Sequence, residues 1–336
     1  MIGTRTKKNA LGSLSRKTLF ILLIGAPLLL SACQTPGIDS DYGRAFANPE
    51  EAGDALVNAL SQGDQAALGS ILGPDSDLVL GSGDSVQDQN QKQWFVNAYR
   101  TQHTWIPWSK GVAVLEIGKN AWPFPIPLVE EKGTWWGRKG GWRFDTAEGA
   151  GEILNRRIGR NELNTIQSCL AFVDAEREYY HRNPEQNATP GYARYILSSP
   201  GEKNGLYWET AADESPSPLG ALYAAAQSMG YSPSQGADKP FHGYLYRVLD
   251  AQGSNAPGGA YSYVVGDRMA DGFALLATPA KYGSSGVMSF LVNQVGLVYE
   301  KDLGPDTAEI ATATKTFDPD DSWALIPQSP DNSPQN

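Results

Sequence analysis

Three histidines, His103, His181 and His242, and two cysteines, Cys33 and Cys169, are the only imidazole and thiol groups in this 336-residue chain. No two of them stand at the spacing by which a helix or loop presents joint ligands, so the sequence predicts no transition-metal site and no cofactor. The acidic runs Asp75–Asp77, Asp84–Asp88 and Asp318–Asp321 lack the alternation and glycine of a calcium loop and read as solvated turns. Gly283-Ser284-Ser285-Gly286 is too short for Gly-x-Ser-x-Gly, and it reads as a hairpin or bulge whose hydroxyls bond the local backbone. Glu176 with Glu178, or Asp271 with Glu300, would serve a glycosidase only at a separation that sequence does not measure. No catalytic residue is assigned.

One cluster does point to recognition. Lys203, Asn204, Tyr207, Trp208, His242, Tyr244 and Arg247 place aromatic planes beside amide and cationic donors, a combination suited to a glycan or a peptide. The bland alternative is that alternating tyrosines simply mark an ordinary sheet face.

The elements that would position these groups begin after an N-terminal leader. Arg5, Lys7, Lys8, Arg16 and Lys17 precede an apolar run from Leu19 to Ala32 that Gly25 and Pro27 interrupt. A membrane span needs roughly 20 apolar residues, so this run is too short, and the layout is that of a secretory signal. Leu30-Ser31-Ala32-Cys33 resembles a bacterial lipobox, in which the cysteine sulfur receives a diacylglycerol. Cys33 is therefore the expected lipidation site and mature N-terminus. Acyl chains each add about 0.8 kcal/mol per buried methylene, enough for two or three to hold without a transmembrane helix. Gln34 stands where an aspartate would favour retention at the inner membrane, so the expectation is a periplasm-facing outer-membrane lipoprotein.

The net charge is −10, and the leader carries five bases and no acid, so the remainder holds about −15. Such a body is a poor partner for nucleic acid or for anionic lipid. Cys169 alone remains, which leaves no internal disulfide and makes packing responsible for stability. Nine Trp, fifteen Tyr and 41 % hydrophobic residues supply a sizeable core.

The remaining organisation follows from periodicity and punctuation. Residues 34–48 read as a tether, able to reach about 50 Å when extended. Residues 49–146 form an N-terminal α+β domain: Asn48-Pro49-Glu50-Glu51 opens a helix that Gly63 stops, and Asp64 starts a second. A third helical pattern spans 91–103, and extended segments follow at 111–117 and 133–144. Short helices before a curved antiparallel sheet look like the nuclear-transport-factor-like or cystatin-like design, a fold-level analogy.

Residues 147–326 form the second domain. A long helix over 147–182 places Leu163, Ile166, Leu170, Val173 and Tyr180 on one side, and a short helix follows, with Ser217 as its cap. Strands at 242–249, 261–265, 273–278, 287–292 and 297–301 make an antiparallel meander. Residues 327–336 read as a disordered tail. The fold class is α+β throughout.

Several phrases are familiar as a set: "RRIGRNEL" at 156–163, "NGLYW" at 204–208, "KPFHGYLYRVL" at 239–249, "YGSSGVMSFLVNQVGLVYEKDLG" at 282–304, and "GRAFANPEEAGDALVNAL" near the start. Together they resemble an uncharacterised bacterial lipoprotein family catalogued as domain of unknown function 2950, a likeness that implies no activity. More loosely, the last third is similar to the globular heads of pilins and pseudopilins, without their assembly helix. The sequence thus predicts a lipid-anchored envelope protein that binds or scaffolds an envelope protein or glycan. The rival expectation is a cell-envelope hydrolase acting on glycan or peptide.

Overall fold

A computed structural model describes residues 43–133, 140–232 and 239–327. Cys33, the leader, most of the expected tether and nearly all of the expected tail lie outside the described residues. Among them no helix is long and apolar enough to cross a membrane.

Helix α1 (Pro49–Gln62) starts where Asn48 Oδ1 accepts the Glu51 amide at 2.9 Å and stops at Gly63, whose φ of +67° is left-handed. Helices α2 (Gln65–Leu72), α3 (Ser76–Leu80) and α4 (Ser85–Thr101) follow, α2 and α4 opening on the aspartate caps Asp64 and Asp84. Beside them lies an antiparallel sheet of β1 (His103–Ser109), β2 (Val112–Ile117), β3 (Trp122–Pro123), β4 (Leu128–Glu131) and β5 (Gly141–Phe144), in the order β1-β2-β4-β5 with β3 on β2. Alternation in β2 buries Ala113, Leu115 and Ile117. Strand β1 escapes the sequence reading because its burial does not alternate and Trp108 stays 77 % exposed. The segment just before α1 is bound to this body: Phe46 is buried and exchanges two 2.8 Å backbone bonds with Trp142.

Helix α5 (Thr146–Arg182) is capped by Asp145 and ends at Asn183 in the left-handed region. Its first turns close the first core: Thr146 Oγ1 donates to Leu72 O at 2.7 Å, Ile153 packs on that core, and Gly149 lets the backbone approach Ile126. Its last turns enter a second core through Cys169, Phe172, Val173 and Tyr179. The face buried is only partly the one the apolar period predicts: Val173 is buried and Ile166 and Leu170 pack on the second core. Leu163 is 67 % exposed, whereas Arg157, Asn161, Thr165 and Glu176 are buried. Counting apolar residues misplaces the first half of the face because that half is a hydrogen-bonded polar stripe.

Beyond α5 come the parallel pair β6 (Tyr195–Leu197) and β7 (Gly205–Tyr207), then α6 (Gly220–Ser228), which has Leu219 rather than Ser217 at its cap. Strand β8 (Tyr244–Leu249) precedes two short ribbons, β9 (Ala251–Gln252) with β10 (Tyr261–Ser262) and β11 (Val264–Val265) with β12 (Arg268–Met269). Strands β13 (Ala274–Pro279), β14 (Met288–Asn293) and β15 (Val298–Asp302), helix α7 (Thr307–Ala313) and β16 (Ala324–Leu325) complete the chain. The second sheet is antiparallel in the order β16-β15-β14-β13-β8. Every residue of β13 is buried, as a central strand covered on both faces requires. The α+β class holds: helices and antiparallel sheets, with one long helix against a five-stranded meander.

Candidate functional site

Asp84 builds the site's frame. Its backbone position at the α4 N-cap lets Oδ1 accept the Gln87 amide at 3.0 Å, and its Oδ2 accepts Tyr231 Oη at 2.8 Å and the Gly243 amide at 2.9 Å. One buried carboxylate therefore satisfies a helix terminus and pins a turn 159 residues away. The turn is tight: His242 and Gly243 both have positive φ, +52° and +79°. One turn further along α4, Gln87 Nε2 donates to Asn161 Oδ1 at 2.8 Å, and Asn161 Nδ2 donates to Ser285 O at 2.8 Å. Arg157 lies next to it, donating to Val79 O at 2.7 Å and, at longer range, to Leu78 O, Gly81 O and Ser284 Oγ. The Gly283–Gly286 loop thus packs on the α5 polar stripe, and Ser285 Oγ accepts the Lys281 amide at 2.9 Å.

On the outer side of this frame, α4 and α5 wall a cleft of about 710 Å³. Leu56, Leu60, Phe95, Phe124, Ile126 and Ile153 form an apolar floor. Its rim is polar and aromatic. Arg156, Arg160 and Asn164 line it from α5 at four-residue spacing, which puts them on one helix face, and Gln87, Gln91, Lys92 and Trp94 line it from α4. Trp122 meets Trp94 edge to face at 5.2 Å, and the Arg156 guanidinium lies 5.4 Å over the Trp122 ring while its Nε holds Glu152 at 2.6 Å. Tyr231 and His242 close one end. Burial lowers the His242 pKa, Asp84 opposes that and Arg160 adds to it, which favours the neutral ring.

Of the seven residues singled out from sequence, only His242 reaches this cleft. Lys203 and Trp208 do meet, with the Lys203 ammonium 5.6 Å above the indole, but Lys203 also binds Glu214 at 2.6 Å. Tyr207 stacks on Tyr223 at 4.1 Å, and Asn204 is spent on the Ser199 amide and hydroxyl. Tyr244 is fully buried and donates to Met288 O at 2.8 Å. Arg247 caps α7 through the carbonyls of Ala311 and Thr314. The seven do not form one surface.

Sequence reasoning missed Arg156, Arg160 and Asn164, although their spacing inside a predicted helix was a readable sign. Trp94, within the helical pattern expected at 91–103, was not singled out from sequence, and it is half exposed. Among the described residues no three His, Cys, Asp or Glu groups gather as metal ligands. Cys169 is buried, its thiol pushed up to about 12 by desolvation.

A family model described as protein of unknown function, DUF2950, matches residues 43–326. The chain belongs to that family. The matched span takes in every residue of the cleft from Leu56 to His242, so the DUF2950 region includes the whole candidate site. No curated protein and no solved structure matches the chain.

Proposed function

We propose that this DUF2950 member is an exported, lipid-anchored binding module that faces the periplasm from the outer membrane and receives its ligand in the cleft between α4 and α5. The cleft itself carries this reading. A volume of about 710 Å³ falls within the roughly 300–1,000 Å³ of ligand pockets, and an apolar floor under a few convergent polar groups is their usual make-up. The lipid anchor rests on the leader and on Cys33.

Two measurements test the two halves of the proposal. Cys33→Ser should remove the lipid mass from the N-terminal peptide and release the protein from the membrane fraction; an unlipidated native Cys33 would end the anchoring half. Soluble cell-wall digest should change tryptophan fluorescence in the intact protein and not in a Trp94→Ala, Trp122→Ala double variant. An equal response from both would end the cleft half. The rival reading, a hydrolase of glycan or peptide, would rest on His242, the imidazole in the cleft lining, since the lining carboxylate Asp88 is held by the Ser82 amide. Turnover of the digest that disappears in His242→Ala would replace the binding reading with it.

A further inference from the structure

The cleft is cationic on an anionic protein. The whole chain carries −10, yet the cleft's charged lining is Asp88, Lys92, Arg156 and Arg160. Asp88 is engaged by the Ser82 amide at 2.9 Å and Arg156 by Glu152, whereas neither Lys92 nor Arg160 has an ion-pair or hydrogen-bond partner among the described residues. An unpaired guanidinium beside a low-dielectric floor offers a fork for two parallel bonds to an oxyanion. Beside it stand the two indoles and the buried side-chain amide of Gln91, whose Nε2 has no partner. Flat aromatic faces take the CH face of a pyranose ring, and amide donors take its hydroxyl or acetamido oxygens.

We propose that the cleft binds an acidic amino sugar, its ring on the half-exposed Trp94 with Trp122 edge-on beside it, its acetamido group toward Gln91 and its carboxylate on Arg160 with Lys92 nearby. This rests on the cleft being the ligand site and names the ligand class. A charge-assisted bond of this kind in a partly dry cleft is worth roughly a 10- to 100-fold gain in affinity over a neutral sugar. Arg160 is exposed and its side chain has no hydrogen-bond or ion-pair partner among the described residues, so its loss should leave the body intact.

The test titrates the purified full chain, held in detergent, with four probes: a disaccharide of N-acetylglucosamine and N-acetylmuramic acid, the neutral N-acetylglucosamine dimer, N-acetylglucosamine 1-phosphate, and a sugar-free stem peptide. Fluorescence and calorimetry read the binding. The muramic disaccharide should bind at least about tenfold tighter than the neutral dimer. Arg160→Gln should erase that difference while keeping the neutral affinity, and Trp94→Ala should weaken both sugars. Equal affinity for the charged and neutral disaccharides, or a preference that survives Arg160→Gln, overturns the inference and leaves the cleft as a binding site. So does tighter binding of the phosphosugar or of the stem peptide. If no probe and no whole digest perturbs Trp94 or Trp122, both the inference and the cleft reading fall.

Discussion

Gln87 and Asn161 join the two helices that wall the cleft, Gln87 Nε2 donating to Asn161 Oδ1 at 2.8 Å in a site closed to water. Asn161 has a second bond on its other side, to Ser285 O. Replacing Asn161 by leucine keeps the volume but strands a buried amide and a buried carbonyl, each worth about 1–3 kcal/mol. Asn161→Leu should therefore cost about 2–5 kcal/mol in urea unfolding. In a double-mutant cycle with Gln87→Ala the loss in the double variant should fall short of the sum of the two single losses; strict additivity would mean that the bond carries no coupling.

Gly243 has φ +79°, and a Cβ there would lie 2.4 Å from Asn161 Nδ2. Gly243→Ala meets both backbone strain and a clash with the same amide, so it should destabilise by about 2 kcal/mol or more. A midpoint unchanged within about 0.5 kcal/mol would show that the turn is not held as described.

Arg157 is 2 % exposed, and its guanidinium collects carbonyls at the end of α3. Lysine keeps the charge but lacks the fork, so Arg157→Lys should lose most of what Arg157→Met loses, about 3 kcal/mol. Full rescue by lysine would indicate that charge, not geometry, holds α3 against α5.

Glu176 is fully buried, with one oxygen on the Ala193 amide at 2.8 Å and the other without a partner. Burial raises its pKa well above the ordinary 4.5, the Ala193 bond only partly opposing. A raised folded pKa means that the protonated form is the one the fold prefers. Its stability contribution is complete below about pH 4.5 and is lost as pH climbs toward the raised value. Thermal midpoints should fall over that interval, and Glu176→Gln should flatten the decline; an unchanged slope would locate the titration elsewhere.

Elements marked by caps, turn residues or apolar strand composition were readable in the sequence: α1 and α2 with their Asn and Asp caps, the bounds of α5 within one residue, and strands β8, β13, β14 and β15 of the second sheet, whereas the strand expected at 261–265 divides between the β9–β10 and β11–β12 ribbons and lies outside that sheet. What stayed hidden depends on partners distant in sequence. Arg157, Asn161 and Glu162 are polar, so a hydrophobic count turns them outward, yet their partners at 78–81, 87 and 284–288 turn them in. The same inversion misled the choice of binding residues. Tyr244 and Arg247 look like recognition groups in isolation, but one carbonyl in β14 and two at the end of α7 claim them. Arg160 looks ordinary in sequence and becomes distinctive only because, among the described residues, no carboxylate pairs with it in the cleft.

The two ends of α5 mature at different moments of synthesis. Chains emerge N-terminus first, and the first core is complete once Ile153 has appeared. The turns carrying Cys169, Phe172 and Tyr179 must wait for strands that begin at Tyr244 and end near Val298. For the length of that interval the nascent polypeptide displays a half-sheltered greasy rod beside a finished neighbour, which makes the stretch from Asn183 to Val298 the window in which a holding chaperone has the most to cover.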